Sequence, residues 1–240
     1  MDAVYALNYR DLYQQHWWWR ARERLILSAI EEIRRNASTD RILDIGCGDG
    51  LLFDQLVKFG DVEGVEPDRS LITGRGPWRD KIHISPFDRT FQPGKRYSLI
   101  LMLDVLEHFR EARNCLTHAM ELLDSKGTLI LTVPAFPCLW TSHDDLNRHF
   151  KRYTKKSLIA LTSQVDMKIL KCQYFFHWIF APKLLLHFKE RCFGTSIRVP
   201  TVPRPWLNEM LLKFSVAEQK LFRKASIPIG SSIIAIGRHR

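Results

Sequence analysis

The sequence predicts an α/β fold: a mostly parallel sheet with helices on both faces and a helical insertion between its last two strands. Short apolar runs at 42–45, 62–65, 99–103 and 128–133 alternate with stretches of helical periodicity, the pattern of strands joined by crossover helices. The first run passes directly into the glycine turn Gly46-Cys47-Gly48-Asp49-Gly50, at the end of a strand where such sheets collect ligands. About fifty residues separate the last two runs, at 168–176 and 232–237, far more than neighbouring strands need.

Trp18, Arg22, Leu25, Ala29 and Ile33 recur at helical spacing and predict one helix from about Tyr9 to Arg35. Asn36-Ala37-Ser38-Thr39-Asp40 stops it. Ile42, Leu43 and Ile45 make the first buried strand, and LLFDQLVKFG reads as the following helix, ending at Gly60. Val62 to Val65 is the second strand, closed by Glu66-Pro67-Asp68; Lys81 to Ile84 is the third, within a Gly-, Pro- and charge-rich stretch. Leu99 to Leu103 is the fourth strand, residues 111–123 a helix ending near Gly127, and Thr128 to Val133 a fifth strand stopped by Pro134. Lys168 to Phe176 and Ser232 to Gly237 are the sixth and seventh. The expected division is a core over 1–174, a basic aromatic insertion over 175–230 and the final core strand over 231–240.

Charge is unevenly placed. Residues 1–140 hold 18 basic and 20 acidic side chains, whereas residues 141–240 hold 18 basic and 6 acidic ones, a net of +12. That field favours anionic partners, or else is a solvated face. The five cysteines show no CxxC pair and no metal-cluster spacing, so reduced thiols and a cytoplasmic protein are expected. The N-terminus has no apolar stretch of signal-peptide length before its charges begin.

The glycines at 46, 48 and 50 permit positive φ and close approach of a ligand, while Asp44 and Asp49 can accept hydrogen bonds from a cationic amine. Glu66, at the tip of the second strand, can accept both hydroxyls of a ribose. A pyrophosphate would be repelled by acids so placed, which argues against a nicotinamide dinucleotide. DIGCGDG, GVEPD and YSLILMLDVLEHF, in that order, resemble the successive motifs of class I S-adenosylmethionine (SAM)-dependent methyltransferases. The resemblance implies a Rossmann-like sheet of seven strands, six parallel and the last antiparallel. It implies that Asp44, Gly46 and Gly48 lie by the methionine part of SAM, that Glu66 holds the ribose and that Leu103 and Asp104 border the methionine, with Cys47, Asp49 and Pro67 also expected among the cofactor-binding residues. Asp88 is the candidate acid for the adenine. HWWWRARERLI and PAFPCLWTSHDDLNRHFKRYTKKSL resemble segments of a bacterial subgroup associated with glycan or lipid pathways, and more distantly ubiquinone-type O-methyltransferases.

Methyl transfer from a sulfonium is an in-line displacement that relies on positioning, helped by a general base when the nucleophile is a hydroxyl. His108, His143, Asp144 and His149 all follow strand ends and are the catalytic candidates, each also readable as a structural hydrogen-bonding residue. Arg152 and Tyr153 either bind an anionic group or anchor the next helix. No NPPY-like turn follows the fourth strand, which argues against a nucleic-acid substrate, and the sequence shows no acid cluster for a divalent cation. The expected acceptor is a small or lipid-linked molecule, methylated on oxygen; the competing reading is a SAM-binding scaffold without catalysis.

Residues 174–188 are too short and interrupted to span a bilayer. Trp206, Met210, Phe214, Ala217 and Leu221 form a stripe at helical spacing. It is either buried on the sheet or an amphipathic surface that meets an anionic membrane.

Overall fold

The computed structural model describes residues 3–35, 39–72, 76–194, 199–223 and 225–240. Its centre is a seven-stranded sheet of β1 (Arg41–Ile45), β2 (Asp61–Glu66), β3 (Ile82–Ile84), β4 (Tyr97–Leu103), β5 (Leu123–Pro134), β6 (Lys168–Phe175) and β7 (Ser232–Arg238). The spatial order is β3-β2-β1-β4-β5-β7-β6, with β7 antiparallel to both β5 and β6. Strand order reverses at β1, between β2 and β4, which sets the ligand crevice at the carboxyl ends of those strands.

Both faces are covered, which explains the continuous apolar runs. One face packs Leu43, Ile100 and Leu129 with α4 (Ala112–Leu122) and α6 (Lys155–Thr162) through Leu116, Ala119 and Leu158. The other packs Ile42, Leu99 and Ile130 with α2 (Trp17–Arg34) through Ile26 and Ile30, and with α8 (Pro205–Leu221) through Leu212. The fifty-residue connection holds α7 (Phe180–Phe193) and α8. Among the described residues no helix is long and apolar enough to cross a membrane.

The expected single N-terminal helix is two, α1 (Ala3–Gln15) and α2, broken at His16. His16 adopts an extended ψ of 133° and its Nδ1 accepts from the Trp18 amide at 3.1 Å, a side-chain cap that starts a new helix. The end of α2 agrees with the reading, although residues 36–38 of its stop signal lie outside the described residues. The helix expected over 51–60 contracts to α3 (Phe53–Leu56), flanked by turns. The helix before β5 ends at Leu122 rather than near Gly127, because Leu123 pairs with Tyr97 across an irregular register.

The apolar stripe of α8 is not buried on the sheet. Asn208, Leu212, Ser215 and Glu218 form its buried face instead, leaving Trp206, Met210, Phe214 and Leu221 exposed. The reason is polar: Asn208 accepts from the Trp17 amide at 2.9 Å and donates to the Gln15 carbonyl at 2.8 Å. Trp178 donates through its amide to Glu218 at 3.1 Å and through its indole to Ser215 at 3.1 Å. Hydrogen-bond partners, not apolar periodicity, choose the side that faces inward.

Candidate active site

β1 delivers the chain into the glycine turn, where Gly46 has φ +73° and Gly48 φ +55°. A Cβ on Gly46 would stand 2.7 Å from Val105 Cγ2, while one on Gly48 would meet nothing within 4 Å. The first glycine is needed by the fold; the second leaves an open cradle. Glu66, buried at the end of β2, accepts from the Gly48 amide at 3.0 Å and from the Asp68 amide at 2.9 Å. Burial raises its pKa, partly offset by those two donors. Each oxygen keeps a further lone pair, so the carboxylate can still accept a ribose diol.

Beneath the turn lies Asp44, whose carboxyl burial pushes up to about 7 despite the attraction of Arg22. Arg22 reaches from α2 to Asp104 at 2.7 Å. Asp104 itself has φ +56°, its amide bound to the Thr132 carbonyl at 3.0 Å, a strained conformation of the kind that collects at functional sites. Arg22 was read only as a member of the helical stripe; a cation on a stripe otherwise apolar needs a buried partner, and that was the available signal.

A cavity of about 880 Å³ runs from this turn across the strand ends, within the usual range for ligand sites. Its walls include Gly46, Gly48, Glu66, Pro67, Asp88, Leu103 and Asp104 at one end and His108, His143 and His149 at the other. Tyr9 and Trp17 to Trp19 roof it from the N-terminal helices, and Lys183 and Leu186 from α7. Asp88 is exposed, with one oxygen taken by the Thr90 amide at 2.8 Å. Asp44, Cys47 and Asp49 do not line the cavity. Cys47 packs beside the second core with its thiol pKa pushed far up by burial, and Asp49 is ion-paired with Arg10. These three support or close the turn rather than face its contents.

At the far end, Thr141 and Asp144 form a capping box that starts α5 (Ser142–Leu146). Asp144 is fully buried and bound by Arg152, Nε to Oδ1 and Nη2 to Oδ2, each at 2.9 Å. Burial would raise its pKa, but the bond to His149 and the Arg152 pair outweigh that and hold it well below the carboxylate range. Its Oδ1 also lies 2.9 Å from His149 Nδ1. An ionised carboxylate only accepts, so Nδ1 carries the proton and Nε2 is the ring nitrogen left free of this pair. Asp144 therefore does not reach the cavity; it positions His149, which does. Arg152 donates to the Ala135 carbonyl at 2.9 Å and Tyr153 to the Leu106 carbonyl at 3.2 Å, so both anchor.

Burial, with His149 as neighbour, pushes His108 down to about 4, and burial, with Lys183, does the same to His143. Both are neutral imidazoles at pH 7. Glu107 is completely buried and neither carboxylate oxygen has a hydrogen-bond partner among the described residues; burial and the nearby Asp104 raise its pKa well above normal. Glu107, His108 and His149 offer ligand atoms within 4.8 Å of one another, a grouping that sequence reasoning missed because His149 arrives from a distant loop.

Residues 18–171 match the family model described as a methyltransferase domain. The ubiquinone biosynthesis O-methyltransferase of Bradyrhizobium diazoefficiens is 29% identical over 119 residues, covering 47% of this chain and 42% of that protein. The chain spans about half the length of the curated relatives it first matches. Among solved structures, a putative methyltransferase complexed with the Haloferax volcanii Trm112 activator has a TM-score of 0.60 at 12% identity, covering 99% of this chain and 96% of that one. The plantazolicin methyltransferase BpumL, solved with S-adenosylhomocysteine (SAH), has a TM-score of 0.59 at 13% identity, covering 97% and 87%. With the family match over residues 18–171, its sheet order and its glycine turn, the chain belongs to the class I SAM-dependent methyltransferases.

Proposed function

We propose that the chain methylates an oxygen of a small or lipid-linked acceptor, with His149 as general base. The observation that carries this reading is the single cavity joining the Gly46–Glu66 end to an imidazole whose tautomer Asp144 sets. SAM supplies the electrophilic methyl group when bound. Gly46, Gly48 and Glu66 hold it, Leu103 and Asp104 border it, and the aromatic roof of Tyr9 and Trp17 to Trp19 excludes water. A hydroxyl placed against His149 Nε2 loses its proton as it attacks. The O-methyltransferase names of the sequence relatives favour oxygen.

The test is transfer of labelled methyl from SAM to a panel of catechol, quinol and lipid-linked hydroxyl acceptors. His149→Ala should lower kcat by about 10²- to 10⁴-fold with SAH affinity unchanged. SAM binding without turnover on any acceptor would favour a scaffold instead. A second reading, cation-assisted transfer, is favoured by the unpartnered Glu107 carboxylate beside His108 and His149; loss of turnover on chelation, restored by Mg²⁺ or Zn²⁺, would support it.

The proposal includes peripheral attachment to an anionic membrane from the cytoplasmic side. Leu185, Phe188 and Phe193 on α7 and Trp206 and Phe214 on α8 are each more than half exposed, amid a net charge of +12 over residues 141–240. Binding should be tighter on acidic than on neutral vesicles and should weaken without vanishing as salt rises. Equal sedimentation with both at low salt refutes the attachment.

A further inference from the structure

Four basic groups line the cavity: Arg22, His143, Arg152 and Lys183. Arg22 is matched by Asp104 at 2.7 Å and Arg152 by both oxygens of Asp144. His143 is a neutral imidazole, its pKa pushed down by burial. The fourth is Lys183, half-buried in the cavity wall on α7. No carboxylate or carbonyl among the described residues lies within hydrogen-bonding or ion-pairing distance of its ammonium. The acid nearest to it on the same helix, Glu190, is already held by the Ser142 amide at 2.8 Å and hydroxyl at 2.7 Å.

We infer that the methyl acceptor enters as an anion and that Lys183 receives its oxyanion, a specificity role that rests on the methyltransferase reading above. A half-buried ammonium beside a guanidinium is held at a cost, and protein interiors accept unpaired charge where a ligand will pair it. Burial and then Arg152 push the Lys183 pKa down to about 8, so it is still mostly cationic at neutral pH, and an arriving anion relieves both effects. Arg152 is the poorer receptor because its charge is already paired with Asp144 and three of its five N–H donors are engaged, by Asp144 and the Ala135 carbonyl. The acceptor class is therefore a hydroxyl compound bearing a carboxylate or a phosphate, and the ammonium fixes the anion while His149 faces the hydroxyl.

The experiment is calorimetric titration of the SAH-saturated full chain with 3,4-dihydroxybenzoate, its neutral methyl ester, catechol and catechol monophosphate. Wild type, Lys183→Met and Lys183→Arg are compared. Wild type should bind at least one anionic probe about tenfold or more tighter than its neutral counterpart; Met should abolish that preference and Arg should retain most of it. The carboxylate and phosphate arms distinguish the two sources of oxyanion. An equal preference in Lys183→Met, or no preference for either anion in wild type, overturns the inference. A fall in SAH affinity in Lys183→Met also overturns it, by assigning the lysine to the cofactor. Failure of the wild type to bind SAH defeats the methyltransferase reading itself, a result readable before any acceptor is added.

Discussion

Asp144→Ala is expected to destabilise the protein more than any surface change, and its cost follows from what it leaves behind. The substitution removes two 2.9 Å bonds from Arg152 and the 2.9 Å bond to the Thr141 amide. Arg152 is 6% exposed, so its charge remains buried with only the Ala135 carbonyl to face. Breaking one side of a buried pair costs about 3–5 kcal/mol, and the lost cap adds about 1 kcal/mol. Set against a total stability of roughly 5–15 kcal/mol, that is a large fraction. Urea unfolding followed by tryptophan fluorescence reads it; with a slope of about 2 kcal/mol per M, a loss of 4 kcal/mol lowers the midpoint by about 2 M.

The sign of the pH dependence is fixed by the direction of the shift. Asp144 is held below its unfolded value, so its contribution is complete above a pH of about 4 and is lost as pH falls through the folded value. Wild type and Asp144→Ala should accordingly differ most near neutrality and converge in strong acid. The double variant Asp144→Leu/Arg152→Met should recover much of the loss, since apolar replacement of both partners removes the orphaned charge. A loss below 1 kcal/mol in Asp144→Ala, with an unchanged slope, would refute the buried-pair account.

Glu66→Ala should weaken SAH binding by about 1–3 kcal/mol through loss of charge-assisted hydrogen bonds; unchanged calorimetric affinity in a folded variant would remove Glu66 from the site. Gly46→Ala places a Cβ 2.7 Å from Val105 Cγ2 at φ +73° and should cost about 1–3 kcal/mol by thermal unfolding. Gly48→Ala, in open space, should carry only the backbone penalty of about 1 kcal/mol yet still impair SAH binding. Asp44, raised to about 7 by burial, gives stability that is present below its unfolded pKa of about 4 and is lost as pH rises through 7. Asp44→Asn should therefore be as stable as wild type at pH 4 and more stable at pH 8 in thermal melts without ligand.

The strands and the cofactor end were legible because their determinants are local. A glycine turn after a buried apolar run, with an acid at the tip of the next strand, specifies a cradle in consecutive residues, and Gly46, Gly48 and Glu66 line the cavity together. The acceptor end is assembled from contacts of long sequence separation. His149 and Glu107 come together through the Phe150 amide, which donates to the Glu107 carbonyl at 2.7 Å, and through Asp144, which holds His149, and no periodicity in either segment announces that. Lys183 belongs to no motif or periodic face; its meaning depends on which neighbouring cations already have partners. His16 was legible only in hindsight, since histidine is an uncommon cap.

The seam between α8 and the N-terminal helices is largely polar. Asn208 bridges Gln15 and Trp17, Gln219 donates to the Ala21 carbonyl at 3.2 Å, and Arg20 pairs with Glu209, whereas Leu212 is the one buried apolar side chain that α8 contributes. The Arg20–Glu209 pair is exposed, but Asn208 is itself buried, so directional bonds largely shielded from water, more than apolar area, hold α8 against the N-terminal helices.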